Sequence, residues 1–456
     1  MQHDYLGNPV TGAGGATLAA IDDFVGGFLG YEERMLRVVA AADADPAACL
    51  ANAYAGWICM FLESPEAPAR AQRYLERARR AAPGATEREA LAAELLGAWC
   101  ADDTPRALGL ADRILALAPR DLAVLKLHQY FSFNRGRSAE MLRVALAALP
   151  AAGDVAALHG MAAFAYEQCR LLGEAERSAR TALRLSAREP WAEHALAHVM
   201  LGGGRIREGL EFLSARSGGW TGLTSFMDTH LWWHVALFLI SEGRLDEALA
   251  VYDGHCWARD RDYSQDQAGA VSLLARLELA GGEVGGRWDA LAPYLAKRQG
   301  DAVEPFLSLQ YLYGLARAGR GEAAPLMLAI RARADAAPPE RRATWREVAV
   351  PAAEAILACR RGEYGRAGAM LGALLPRLVE LGGSHAQRDL LEQLYLDCLL
   401  RSGARVAARR LLEERRRFEP HGVPLNRALA RLYGELGLPA LAEDALARAR
   451  RVPPRA

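Results

Sequence analysis

Apolar residues return every three or four positions along almost the whole chain. Stretches such as TPRALGLADRILALAP (104–119) have the apolar period of a helix with about 3.6 residues per turn. The stripes come in pairs. A first apolar stretch ends in a short break carrying Gly or Arg, and a second stretch follows with small residues at packing positions. Examples of the break and second stretch are GRIREGLEFL (204–213), GRLDEALAVYD (243–253), GEYGRAGAMLGALL (362–375) and GLPALAEDALARAR (437–450). Pro83, Pro119 and Pro150 stand where units close, because proline cannot continue a helix. One pair occupies about 30 to 43 residues, which brackets the tetratricopeptide period of about 34. Sustained alternation with period two is missing, so no strands are expected. The pattern predicts an all-α fold, a tetratricopeptide-like solenoid of helical hairpins wound into a right-handed superhelix. Roughly ten or eleven hairpins are expected. Residues 1–40 read as an N-terminal lead-in, irregular over its first half, with the first helix. Residues 41–456 read as one continuous array with histidine-rich central units at 154–256. Two looser stretches, 214–227 and 253–270, flank the second histidine-bearing helix.

Inside those central units polar residues interrupt the apolar stripe in a repeated way. His194 and His198 in WAEHALAHVM are four residues apart, and so are His230 and His234 in DTHLWWHVAL. Each pair therefore projects from one helical face, one turn apart. The second pair follows the first by 36 residues, close to one hairpin. Equivalent helices of consecutive hairpins lie side by side, so the four imidazoles are expected to converge on one cavity facing the concave groove. Seven of the ten histidines lie between His128 and His255. Imidazole is both a metal ligand and a group that titrates near neutral pH, so the cluster is a candidate metal or acid–base site. Glu167, near the end of the preceding first helix, is the expected carboxylate partner. Asp228 sits at the mouth of the second histidine helix, where it would also serve as an N-cap. Trp232 and Trp233 are expected in the core and the groove wall. The spacing of HALAH matches the two ligands of an HExxH zinc helix, but Ala195 stands where the catalytic Glu would be. A divalent metal such as zinc would thus draw its ligands from more than one helix, with Glu167 or Glu193 as the carboxylate. A single pair of this kind is more often two imidazoles bonded inside a core; repetition in the adjacent unit is what favours a site.

Composition narrows the classes. Lys and Arg number 55 against 55 Asp and Glu, which gives no reason to expect nucleic acid or an anionic membrane as partner. The hydrophobic fraction of 52% supports a large core and excludes global disorder. No apolar run reaches the roughly 18 residues of a membrane span, and the start lacks a basic region followed by an apolar one. A soluble cytoplasmic protein is the simplest expectation. Seven cysteines lack CxxC spacing and read as free thiols in a reducing compartment, with Cys169 and Cys256 as small buried hydrophobes. There is no GxSxG, Walker loop or strand-borne GxGxxG. In GGSHAQRD (382–389), Ser384 and Gln387 have the layout of a capping box, and Arg388 beside a helix N-terminus is placed to hold a carboxylate or phosphate.

The stretch running from HGMAAFAYEQ through PWAEHALAHVMLGGGRIREGLEFL to DTHLWWHVALFLISEGRLDEALAVYD resembles the tetratricopeptide repeat protein 38 family and its bacterial relatives. SLLARLELAGGEVGGRW (272–288) and GGSHAQRD resemble later family segments, so the similarity covers most of 120–400. The resemblance implies an all-helical tetratricopeptide-like fold and no particular reaction. Its family-type positions are Glu167, His194, His198, His230, His234, Tyr252, Asp253, Gln387, Arg388 and Asp389. This chain departs from the family pattern at Ser308 and Gln310, where relatives carry an Asn-Asp…His element, and at Gly269–Val271, where an acidic residue precedes SLL.

Two functions of different class follow. In the first, a His/Glu-lined pocket binds a small molecule or peptide end, with or without a divalent metal, and supports metal-assisted or acid–base chemistry. His194, His198, His230 and His234 would be ligands or proton carriers, and Glu167 their partner. Arg388, Gln387, Asp389, Trp233, Tyr252 and Asp228 would contact the ligand. In the second, a non-catalytic scaffold holds a partner protein's peptide in its groove. Fold alone does not choose between them.

Overall fold

First and second helices of each hairpin are buried differently, and the difference follows from their sequences. The computed structural model describes residues 2–450. The second helix Ala67–Ala81 buries Ala67, Ala71, Tyr74, Leu75 and Ala78, a single stripe, and leaves most of its arginines outside. Leu172–Leu185 buries only Ala175, Ala179 and Ala182. First helices are apolar nearly all round. Leu122–Phe133 buries every residue from Leu122 to Gln129, then Phe131 and Ser132, because neighbours cover more than one of its faces. A polar side chain on a first helix is therefore taken into the interior.

The chain forms helical hairpins from end to end of the described residues, as the periodicity requires. First helices begin at Cys49, Glu87, Leu122, Ala156, Pro190 and Ser225, in steps of about 34 to 38 residues. Among the described residues the only strands are two of two residues, Gln2–His3 and Pro9–Val10, paired antiparallel. Three local expectations are corrected. The first helix, Gly15–Gly30, begins inside the segment read as irregular. Pro150 lies within the last turn of the helix Ser138–Ala152 rather than beyond its end. The stretches read as loose are largely ordered. A 3-10 turn, Ser217–Gly219, follows the helix Ile206–Arg216, and a π-turn, Tyr252–Cys256, extends the helix Leu245–Val251.

By its internal contacts the chain divides into two units, 1–195 with 220–227, and 196–219 with 228–456. In the first, Phe24 stacks on Tyr54 at 4.1 Å, with Trp57 beside both. Arg88 is buried between Asp121 at 2.7 Å and Asp4 at 3.3 Å and pins the N-terminal strands. Buried Lys126 donates to the carbonyls of Phe28 and Leu29, the open end of the helix Gly15–Gly30. Its ammonium also lies 3.2 Å from the ring centre of Tyr31, whose φ of 55° ends that helix. Glu189 accepts from the Ala192 N–H at 2.5 Å, and burial pushes its carboxyl up to about 8 although Lys126 is near. In the second unit, Gly209 faces Phe238 so closely that a Cβ would overlap the ring, and this sets the spacing between their helices.

Candidate metal centre

The two histidine pairs lie on the first helices of consecutive hairpins, Pro190–Gly202 and Ser225–Ser241. Gly204 and Gly243 end these helices with φ of 69° and 73°, a conformation glycine adopts without strain. The second helices then return through Gly209 and the fully buried Ala248. His198, His230 and His234 belong to the second unit, and His194 stands one turn before His198 on the same helix. One ligating nitrogen from each of the four imidazoles lies within 4.8 Å of the others. The rings of His198 and His234 are 4.6 Å apart, and those of His230 and His234 5.0 Å. All four are buried, His234 completely. The expected convergence is thus present, in an interior rather than on an open face.

Burial fixes the charge state. It drives the His230 imidazole down to about 3, with the neighbouring His198 adding to the shift. His234 is held well below its ordinary value by burial, then by His198, His230 and Arg276. Both rings are neutral at physiological pH, which is the form that offers a lone pair to a cation. Aromatic faces orient the rings. His230 lies flat on Trp233, 5.2 Å apart and 9° from parallel, and His194 stacks on Trp191 at 4.3 Å.

Most of the other predicted residues have structural partners of their own. Glu167 is buried at the end of the helix Ala156–Gln168 and accepts from Gln168. Asp228 is not an N-cap, because its helix already begins at Ser225; its carboxylate takes Arg259 at 3.1 Å. Tyr252 is buried at the start of the π-turn, and Asp253 pairs with Arg287 through two hydrogen bonds. Gln387 closes the capping box with Ser384, as its spacing foretells. Arg388 donates to the carbonyls of Gly382 and Gly383. Asp389 accepts from Arg415 at 2.5 and 3.2 Å. Burial opposes its ionisation, but Arg415, with Arg276 behind it, holds the carboxyl below the usual range. Ser308 donates to the carbonyls of Asp301 and Glu304, a local helix-start contact. Gly269, Ala270 and Val271 lie inside the helix Ser264–Leu279.

One neighbour of the cluster was missed. Arg276 is buried on the helix Ser264–Leu279, donates to Ser272, Ala386 and Gln387, and sets its guanidinium 5.3 Å from the Trp233 ring centre. Its positive charge helps keep His234 neutral. The available signal was an arginine in the middle of the apolar run SLLARLELA, where a surface charge is out of place.

No family model matches the chain. Among solved structures it is similar to an IFIT1 monomeric mutant with Gppp-AAAA, at 12% identity over 94% of this chain and 95% of that one, with a TM-score of 0.43. It is also similar to the P58(IPK) TPR domain, at 13% identity over 80% of this chain and 93% of that one, with a TM-score of 0.21.

Proposed function

We propose that this helical-repeat protein binds a divalent transition-metal ion between the first helices of two consecutive hairpins, with His194, His198, His230 and His234 as ligands. The observation that carries the reading is the set of four buried imidazoles with nitrogens within 4.8 Å of one another. Four points with that largest separation fit in a sphere of radius about 2.9 Å, and Zn–N bonds are about 2.0–2.1 Å. Each ring has to move inward by less than about 1 Å, which small side-chain rotations supply. Neutral nitrogen donors suit Zn, Ni, Co or Cu(II), whereas Mg and Ca prefer oxygen. Four imidazoles complete a tetrahedral shell, so the reading favours binding or structural bridging over hydrolysis. A small molecule or peptide end would enter only where the ion expands to five ligands or releases one histidine. In this proposal the chain is a bacterial relative of the tetratricopeptide repeat protein 38 family, whose family-type histidines are these four.

One observation favours a second reading. His230 and His194 lie flat on tryptophan faces, as core rings do. The imidazoles would then be packing groups in a scaffold whose groove binds a partner's peptide. Elemental analysis of protein purified without a histidine tag separates the two. The metal reading expects about one ion per chain, lost in His198→Ala and His234→Ala while the metal-free variants melt within ~1 kcal/mol of metal-free wild type. A wild type that takes up no Zn, Ni or Co, with variants destabilised by about 1–3 kcal/mol, would leave the scaffold.

A further inference from the structure

Two of the seven scattered cysteines meet in the fold. Cys359 is on the last turn of the helix Val350–Arg360, and Cys398 is on the helix His385–Arg401. They are 39 residues apart in sequence, yet their sulfurs are 3.1 Å apart. That is closer than non-bonded sulfurs pack and about 1 Å longer than a disulfide bond. Cys359 is half-buried, so a small reagent reaches it, whereas Cys398 is fully covered. Among the described residues no other pair of cysteine sulfurs is in hydrogen-bond contact. Cys49, for comparison, spends its thiol on the carbonyls of Ala78 and Glu89.

We propose that Cys359 and Cys398 form a dithiol site that a low-molecular-weight disulfide of the glutathione type oxidises reversibly to an intramolecular disulfide. The thiolate of Cys359 attacks one sulfur of the reagent. A mixed disulfide forms on Cys359 and the first reagent thiolate leaves. The sulfur of Cys398 then attacks the Cys359 sulfur, the protein disulfide forms, and the second reagent thiolate leaves. The two protein thiols lose two electrons and two protons, and the reagent gains both as two thiols. The two sulfurs share one hydrogen-bond contact, in which either thiol can donate. That contact holds Cys398 below its ordinary value against burial, and pushes Cys359 up. The first attack is therefore the slow step and quickens as pH rises, while the resolving sulfur is already placed. The product ties together the first helices of two consecutive hairpins.

The test uses the full chain, reduced and then incubated with oxidised glutathione near pH 8. Free thiols are blocked with iodoacetamide before peptide mapping. The expected product is a Cys359–Cys398 linked peptide pair, lighter than its two thiols by two hydrogens, restored by dithiothreitol and accompanied by a higher Tm. Cys398→Ala should instead accumulate a glutathione adduct on Cys359. Full alkylation of both cysteines after oxidation overturns the proposal, and so does a lasting adduct on wild-type Cys359 or a link formed only in urea.

Discussion

Acid should loosen the two histidine helices before the rest of the array. In the folded, metal-free protein burial and His198 hold His230 down to about 3, and His234 is shifted the same way. A locally opened chain titrates near 6.5. Because the folded value is the lower one, the opened state takes the proton first. The stabilisation is fully present above about pH 6.5 and is lost progressively as pH falls toward 3. Between pH 7 and 5, His230 alone removes ~2 kcal/mol, which is about a 20- to 30-fold rise in the opened population. His234 adds to this. The assay is hydrogen exchange on metal-stripped protein, read on peptides from 190–202 and 225–241 and corrected for the intrinsic pH dependence of exchange. The helix Val350–Arg360, which carries no histidine, serves as the internal control. His230→Gln should lose its share of the acid effect. If the histidine helices keep their corrected protection at pH 5, or lose no more than the control, the reading of His230 and His234 as neutral buried imidazoles is wrong.

Two further substitutions test the packing around the site and in the first unit. Gly209→Ala should cost about 1–3 kcal/mol in thermal melting, because its Cβ overlaps the Phe238 ring, and Phe238→Leu in the same chain should recover part of it. An unchanged melting temperature for the single variant counts against the close approach. Lys126→Met should cost about 1–3 kcal/mol, since the carbonyls of Phe28 and Leu29 lose their buried donor. Urea titrations that superimpose with wild type would show that water replaces it.

Contacts set by local periodicity were legible, and contacts between distant turns were not. The hairpins follow from apolar-periodic stretches such as 104–119, which forms the helix Thr104–Leu117 and buries Ala107, Leu110, Ala111 and Ile114. The histidine helices were legible because a four-residue spacing and a one-hairpin offset are both counts along the chain. Their burial was harder to read, since it depends on neighbours covering a first helix from several sides. Lys126 beside Phe28 is separated from it by 98 residues, and no spacing rule connects them. Cys359 and Cys398 likewise look scattered until their helices are stacked. Asp228 was misread as a cap because the helix begins earlier, at Ser225, where Thr224 and Ser225 are themselves start signals.

The turn between the two histidine helices decides where the chain tolerates a change of length. Gly218 and Gly219 are exposed, and a side chain there would meet nothing within 4 Å. A residue inserted at that point is absorbed by the turn. The same residue inserted between Ser225 and His230 turns everything after it by about 100° on the helix axis. His230 and His234 would then leave His198, although every amino acid of the cluster is still in the sequence. Homologues whose length varies inside this helix should therefore be sorted by register, not by their histidine count.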